Sequence, residues 1–168
     1  GETWRGLPTP VTRTLTGVAF KDAKVGVAVG HGGSFVRTED GGSTWSQVTV
    51  DEAGPDSLLG VTHLAGDHFI AYGAFGLYFD SQDAGKTWSE PTAIGVWGLP
   101  SHLLRMRDGR LLMSYGHRRK PFGNLVRLSS DHGATWSEPL TISSDGAGGD
   151  LGYPSTVQLK DGHLLTVW

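Results

Sequence analysis

An all-β fold of the β-propeller type, assembled from four-stranded antiparallel blades, is what this sequence predicts. Three observations predict it. One motif of eight residues occurs three times, as TEDGGSTW over 38–45, SQDAGKTW over 81–88 and SSDHGATW over 129–136, so that S/T-x-D-x-G-x-T-W is common to all three. The spacing is regular: Trp4, Trp45, Trp88 and Trp136 stand 41, 43 and 48 residues apart, and Gly1-Glu2-Thr3-Trp4 reads as the tail of a fourth copy. Between the copies the chain reads as short strands divided by glycine and aspartate turns, and a period of about 40–45 residues holding four such strands is the signature of a propeller blade.

With strands lettered a to d from the centre outward, the chain opens on a d strand at Thr3–Leu7. The first full blade, about 8–50, has strands at Leu15–Phe20, Val25–Gly30, Ser34–Thr38 and Thr44–Val50, with Lys21-Asp22-Ala23-Lys24 as the turn of its a–b pair. The second, about 51–93, repeats this with Leu58–Leu64, His68–Gly73, Gly76–Ser81 and Thr87–Thr92. The third, about 94–142, has His102–Met106, Arg110–Gly116, Asn124–Ser129 and Thr135–Ile142. Tyr153–Leu159 and His163–Trp168 begin a fourth, so that 143–168 and 1–7 share one split blade in a single domain. Asp108-Gly109 and Asp161-Gly162 are strong hairpin turns. No stretch has helical periodicity. Three complete blades and a split fourth, lacking one c strand, imply a slice of a longer propeller, an assembling unit or an engineered fragment. Self-association or membership of a longer chain is expected, with any original N-terminus upstream of Gly1.

The motif holds acid, hydroxyl and, in one copy, His132, which invites a catalytic reading. His132 is replaced by Gly41 and Ala84 in the other copies, however, and the constant residues each have a structural use. Asp40, Asp83 and Asp131 can accept N–H groups within their own turns. Gly42, Gly85 and Gly133 permit positive φ. Thr44, Thr87 and Thr135 lead into a strand, and Trp45, Trp88 and Trp136 are plates to bury between layers. The repeats are therefore expected to be scaffold.

Composition narrows the function. The 168 residues include 26 glycines and only 18% charged residues, which suits tight turns, and the net charge of −3 gives no bulk attraction to nucleic acid or anionic membrane. Cysteine is absent, which removes disulfides and thiolate metal sites. No signal peptide or long apolar run is present, so membrane insertion is not expected. The seven histidines have no metal-ligand spacing, and no phosphate-cradling loop precedes a helix; no metal and no cofactor are expected.

The three motifs resemble the Asp box, or bacterial neuraminidase repeat, of sialidase-like propellers, and the resemblance covers nearly the whole chain. Its halves differ. GVAFKDAKVGVAVGHGGSFVRTEDGGSTW and AYGAFGLYFDSQDAGKTW, before about residue 90, resemble propellers of the photosystem II stability and assembly factor type. LPSHLLRMRDGRLLMSYGHRRKPFGNLVRLSSDHGATWSEP and DLGYPSTVQLKDGHLLTVW, from about residue 98, look like bacterial sialidase-like proteins. A seam near 94–98 is implied, from a natural hybrid or a laboratory chimera. Sialidase-like parentage would imply a secreted or periplasmic protein.

Strand alternation sets the boxes and the a–b turns at one end of the blades and the b–c and d–a loops at the other, where propellers bind. From the b-strand glycine to the box aspartate is ten residues for Gly30–Asp40 and Gly73–Asp83 but fifteen for Gly116–Asp131. The inserted loop, His117-Arg118-Arg119-Lys120-Pro121-Phe122-Gly123, concentrates positive charge suited to carboxylates and phosphates. The neighbouring loop 143–152 adds Asp145 and Asp150 and leads to Tyr153, a further ligand-binding candidate that as the opening of an inner strand is expected to be buried; Trp97 lies on another loop at the same end and can stack on a sugar or plug a gap between blades. The resemblance implies arginines that hold a sugar carboxylate, a Tyr–Glu nucleophile and an acid. The R-I-P motif and an identifiable Tyr–Glu pair are lacking here, so any exo-sialidase activity is not expected of this chain alone. Three functions remain open: an acidic-glycan-binding sialidase-like propeller acting through 117–123, a non-enzymatic propeller that docks a protein, and a chimeric scaffold without native activity.

Overall fold

A computed structural model of the chain describes residues 3–96 and 98–168; Trp97 lies outside the described residues. The first sheet is formed by β1 (Leu15–Phe20), β2 (Gly26–Gly30), β3 (Ser34–Thr38) and β4 (Ser46–Val48), each antiparallel to the next. The second holds β5 (Leu58–His63), β6 (Phe69–Gly73), β7 (Leu77–Ser81) and β8 (Thr92–Ala93) in the same order. The third holds β9 (Gly98–Arg105), β10 (Leu111–His117), β11 (Gly123–Ser129) and β12 (Leu140–Ser143). A two-stranded sheet of β13 (Ser155–Gln158) and β14 (Leu164–Val167) follows. The leading strands touch in succession, β1 on β5, β5 on β9 and β9 on β13, so they line the centre. The expected fold, a run of antiparallel propeller blades, is what forms.

The two ends of the blades also separate as strand alternation requires. Gly41 N–H donates to Lys24 O and Ala84 N–H to Asp67 O, both at 2.8 Å, which joins each of these boxes to the a–b turn of its own sheet. At the opposite end Gly33 N–H donates to Asp56 O and Gly146 N–H to Phe122 O, joining b–c loops to d–a loops.

Two expectations fail for stated reasons. The outer strands are shorter than Thr44–Val50, Thr87–Thr92 and Thr135–Ile142, because the threonine belongs to the box turn. In the second and third sheets proline then interrupts the ladder. Ser89 N–H still reaches Asp80 O and Ser137 N–H reaches Leu128 O, both at 2.8 Å. Pro91 and Pro139 offer no N–H, and pairing resumes only at Thr92 and Leu140. Thr3–Leu7 forms no strand, and Trp4 is 93% exposed. Among the described residues it has no c strand beside it to complete a ladder, and Pro8 and Pro10 follow directly.

The cores lie between sheets, not within them. Between the first and second, Val27, Val29 and Phe35 meet Leu58, Phe69, Ala71 and Phe79, with Phe35 edge-on to Phe79 at 5.6 Å and against Trp88 at 4.8 Å. Between the second and third, Leu64, Ile70 and Tyr78 meet Leu103, Leu111, Met113 and Tyr115. Of the implied seam at 94–98, Val96 is buried in this second core and Ile94 packs against it, with Ile94 N–H bonding Gly76 O at 3.1 Å. The two-stranded sheet docks through Thr156, whose hydroxyl donates to Ser114 Oγ at 3.1 Å, and through Arg107, which donates to the carbonyls of Leu159 and Lys160 at 2.6 and 3.0 Å.

Backbone also approaches backbone at the centre. A Cβ on Gly17 of β1 would stand 2.7 Å from the Cα of Gly60 in β5. Gly17→Ala is therefore expected to cost about 1–3 kcal/mol by overpacking, read as a lower urea midpoint with unchanged m-value.

Candidate functional site

The repeated aspartates are committed to their own turns. Asp40 Oδ1 accepts from Thr44 N–H at 2.8 Å and from the Thr38 hydroxyl at 2.8 Å, and Oδ2 accepts from the Thr44 hydroxyl at 2.7 Å. The Thr38 hydroxyl oxygen in turn accepts from Gly42 N–H at 2.9 Å. Asp83 repeats the pattern with Thr87 and Ser81, and Asp131 with Thr135 and Ser129. Gly42, Gly85 and Gly133 have φ of 90°, 79° and 93°, and the residue before each, Gly41, Ala84 or His132, is also left-handed at 74°, 61° and 59°. Trp45 and Trp136 donate Nε1–H to Gly42 O and Gly133 O at 3.1 and 3.0 Å. Backbone and hydroxyl donation from Thr44 holds the Asp40 carboxyl down at about 2, and hydroxyl and backbone donation from Thr135 does the same for Asp131. For Asp83 burial works upward, but its four donors outweigh it and the net direction is down.

The carbonyl of the residue after the box aspartate also fastens one sheet to the next. Arg37 in β3 donates from Nε to Ala84 O at 2.7 Å, and Tyr78 in β7 donates its hydroxyl to His132 O at 2.8 Å. Two different donors thus grip equivalent carbonyls. Burial, and then the neighbouring Asp80 carboxylate, push the Tyr78 hydroxyl up, which keeps it a neutral donor.

The loop-rich end brings together most of the residues expected to bind. His117 and Gly123 pair as the last rung of β10 and β11, which leaves 118–122 as the loop. Phe122 ties it to 143–152: its carbonyl accepts from Gly146 N–H at 3.0 Å, and its side chain fills the space beside Gly146. Arg119, Lys120, Asp145 and Asp150 are exposed on these two loops, and Arg118 and His117 are half-buried. Tyr153 is 71% exposed, not a core residue as expected, because it precedes β13 and lies outside its ladder.

One feature escaped the sequence reading. A cleft of about 880 Å³ opens between the second and third sheets, lined by His68, Tyr78, Asp80, Arg127, His132 and Trp136 among others. His68 Nε2 bonds Asp80 Oδ2, Gln82 donates to Asp80 Oδ1 at 2.7 Å, and the His68 and His132 rings stand edge to face at 5.4 Å. Comparing box-relative positions would have found it: three residues before the box aspartate stand Arg37, Asp80 and Leu128, a change in chemistry at one place in the repeat.

Comparison with known proteins agrees with this anatomy. The family model described as photosynthesis system II assembly factor YCF48 matches residues 1–100, and that described as BNR repeat-like domain matches residues 74–166. Among solved structures, a protein of unknown function from Dyadobacter fermentans is 29% identical with a TM-score of 0.62, over 84% of this chain and 40% of its own. YCF48 from Cyanidioschyzon merolae is 20% identical with a TM-score of 0.70, over 98% of this chain and 52% of its own. The chain thus spans about half the length of these relatives or less. No curated protein matches it.

Three outcomes follow for the boxes. Ser129→Ala, at a 2% exposed site, leaves Gly133 N–H without its acceptor and is expected to cost about 1–3 kcal/mol in chemical denaturation. His132→Ala is expected to change stability by less than about 0.5 kcal/mol, since the hydrogen bond across the seam is made to its carbonyl, the ring is lost only from an exposed edge-to-face contact with His68, and Ala84 already serves in that place. Because the Asp40 and Asp131 carboxyls sit below their unfolded values, the stability they contribute is complete above about pH 4 and is lost as pH falls towards about 2. Urea melts at pH 5, 4, 3 and 2 will follow that loss, and Asp131→Asn will flatten it.

Proposed function

The chain belongs to the family of the photosynthesis system II assembly factor YCF48 over residues 1–100 and continues as a BNR-repeat domain over 74–166, and from that premise we propose that it is a non-catalytic propeller module that docks a protein partner. The observation that carries this reading is the use of both oxygens of every box aspartate inside its own turn. The repeated acids are scaffold, and the chain's variable chemistry lies on the loops. The docking surface is the pair of loops 117–123 and 143–152, where Arg119 and Lys120 stand exposed together with Asp145, Asp150 and Tyr153. Mixed charge together with an exposed aromatic suits protein recognition.

An acidic glycan is a second reading of the same loops, favoured by the exposure of Tyr153. One experiment separates the two. Arg119→Ala with Lys120→Ala is expected to leave the melting temperature within about 2 °C and to lose a partner that the unaltered chain captures and mass spectrometry identifies, with the deficit shrinking as salt rises. Saturable binding of N-acetylneuraminate that the double variant loses would assign the loops to glycan instead. Turnover of a fluorogenic sialoside would overturn the non-catalytic reading.

We also propose that the chain self-associates head to tail. Val157, Leu165 and Val167 are 50%, 49% and 58% exposed on the outer face of the two-stranded sheet, and Val18 and Phe20 are 58% and 41% exposed on the open side of the first. A second copy is the occupant that supplies an apolar blade face to each. Light scattering is expected to show a dimer that Val157→Glu with Val167→Glu converts to monomer; a monomer at all concentrations would refute it.

A further inference from the structure

The cleft between the second and third sheets has a counterpart between the first and second, and the difference between them is informative. The first is a groove of about 310 Å³, lined by Arg37, Glu39, Thr44, Ser46, Val48 and Lys86. Arg37 lies across it, bonded from Nε to Ala84 O and from Nη1 to Glu39 at 2.6 Å. At the same places of the next seam stand Asp80 for Arg37, Gln82 for Glu39 and Ala134 for Lys86. At two of these places, Asp80 for Arg37 and Ala134 for Lys86, a short side chain replaces a long one, and the groove opens to about 880 Å³.

The groups at its wall are unequally satisfied. Asp80 has partners for both oxygens, His68 on Oδ2 and Gln82 on Oδ1. Both oxygens of Asp131 are held within the box. Arg127 differs: its Nε is buried and has no hydrogen-bond partner among the described residues. A buried donor of a charged group without an acceptor costs several times what an ordinary hydrogen bond contributes. Nε itself is closed off from the cleft, so a ligand there meets the guanidinium through its Nη groups, the permanent cation of a lining whose carboxylates, Asp80 and Asp131, already have partners.

We propose that this cleft binds a carboxylate, with Arg127 as its charged partner and Trp136 and Ile94 as the wall against which the rest of the ligand lies. A carboxylate fits the guanidinium fork. A dianionic phosphate meets stronger repulsion from Asp80 and Asp131, which line the same space, so a singly charged group is selected. The acid is carried by a glutamate or aspartate of a protein segment or by a free sugar acid; the chemistry at Arg127 is the same for both. The site is separate from the loop 117–123 and independent of the docking role proposed for it.

The test is an NMR titration of the full 15N-labelled chain, following the Arg127 side-chain Nε–H resonance, with capped glutamate and with glucuronate. Capped glutamine, glucose and inorganic phosphate are the controls. At least one of the two acids is expected to shift the resonance saturably while the neutral analogues leave it in place. Arg127→Leu is expected to weaken binding at least about tenfold, the loss of a charge-assisted hydrogen bond. Ala134→Gln, which narrows the cleft from an exposed position, is expected to weaken it as well and covers the case in which Arg127→Leu does not fold. Response to capped glutamate alone assigns the site to a protein segment, and response to glucuronate alone to a sugar acid. An Arg127 resonance that neither acid moves, tighter binding of phosphate, or equal affinity in both variants would overturn the proposal.

Discussion

The fold depends on a carboxylate that accepts both the N–H and the hydroxyl of the threonine four residues ahead. That pair of bonds, made by Asp40, Asp83 and Asp131, closes a turn in which two successive residues take positive φ. Such a conformation is costly for residues other than glycine and persists only when its surroundings over-determine it. Here the serine or threonine hydroxyl two residues before the aspartate bonds both the carboxylate and the glycine N–H, locking the turn from the strand side. The turn then hands the chain from the third to the fourth strand of its sheet and aims a tryptophan at the preceding seam.

Cohesion between sheets follows from that aim. Trp88 lies against Phe35 of the sheet before it, and Trp136 joins the core shared by the second and third sheets. Each sheet is too thin to bury apolar residues alone, so the seams are the cores, and each interior strand contributes one face to each of two seams. At the centre, where strands converge, Gly17 and Gly60 replace side chains with backbone contact.

Most of this anatomy was legible in the sequence because repetition makes it so. The box gave the blade period, and alternation gave the two ends, since both are local consequences of chain geometry. What was not legible depends on cancellation between neighbours. Pro91 and Pro139 shorten outer strands that β-branched residues would otherwise extend. Trp4 carries the motif's residue without a neighbouring strand to use it. The cleft could not be read from any single copy, because it arises where Asp80 and Ala134, on different sheets, both fall short of what Arg37 and Lys86 supply one seam earlier. Tyr153 misled because an inner-strand position was inferred for a residue that stops just short of the strand.

The fastening of neighbouring sheets through the carbonyls of Ala84 and His132 has an evolutionary consequence. A joint that grips main chain is indifferent to the side chain that bears it, so lineages can exchange the residue freely without renegotiating the joint. The donor is equally replaceable, guanidinium in one seam and phenol in the next. Blades whose side chains differ at the joint can therefore share one coupling standard, and the sheets continue to stack through residues 74–100, where the matches to the two family models overlap.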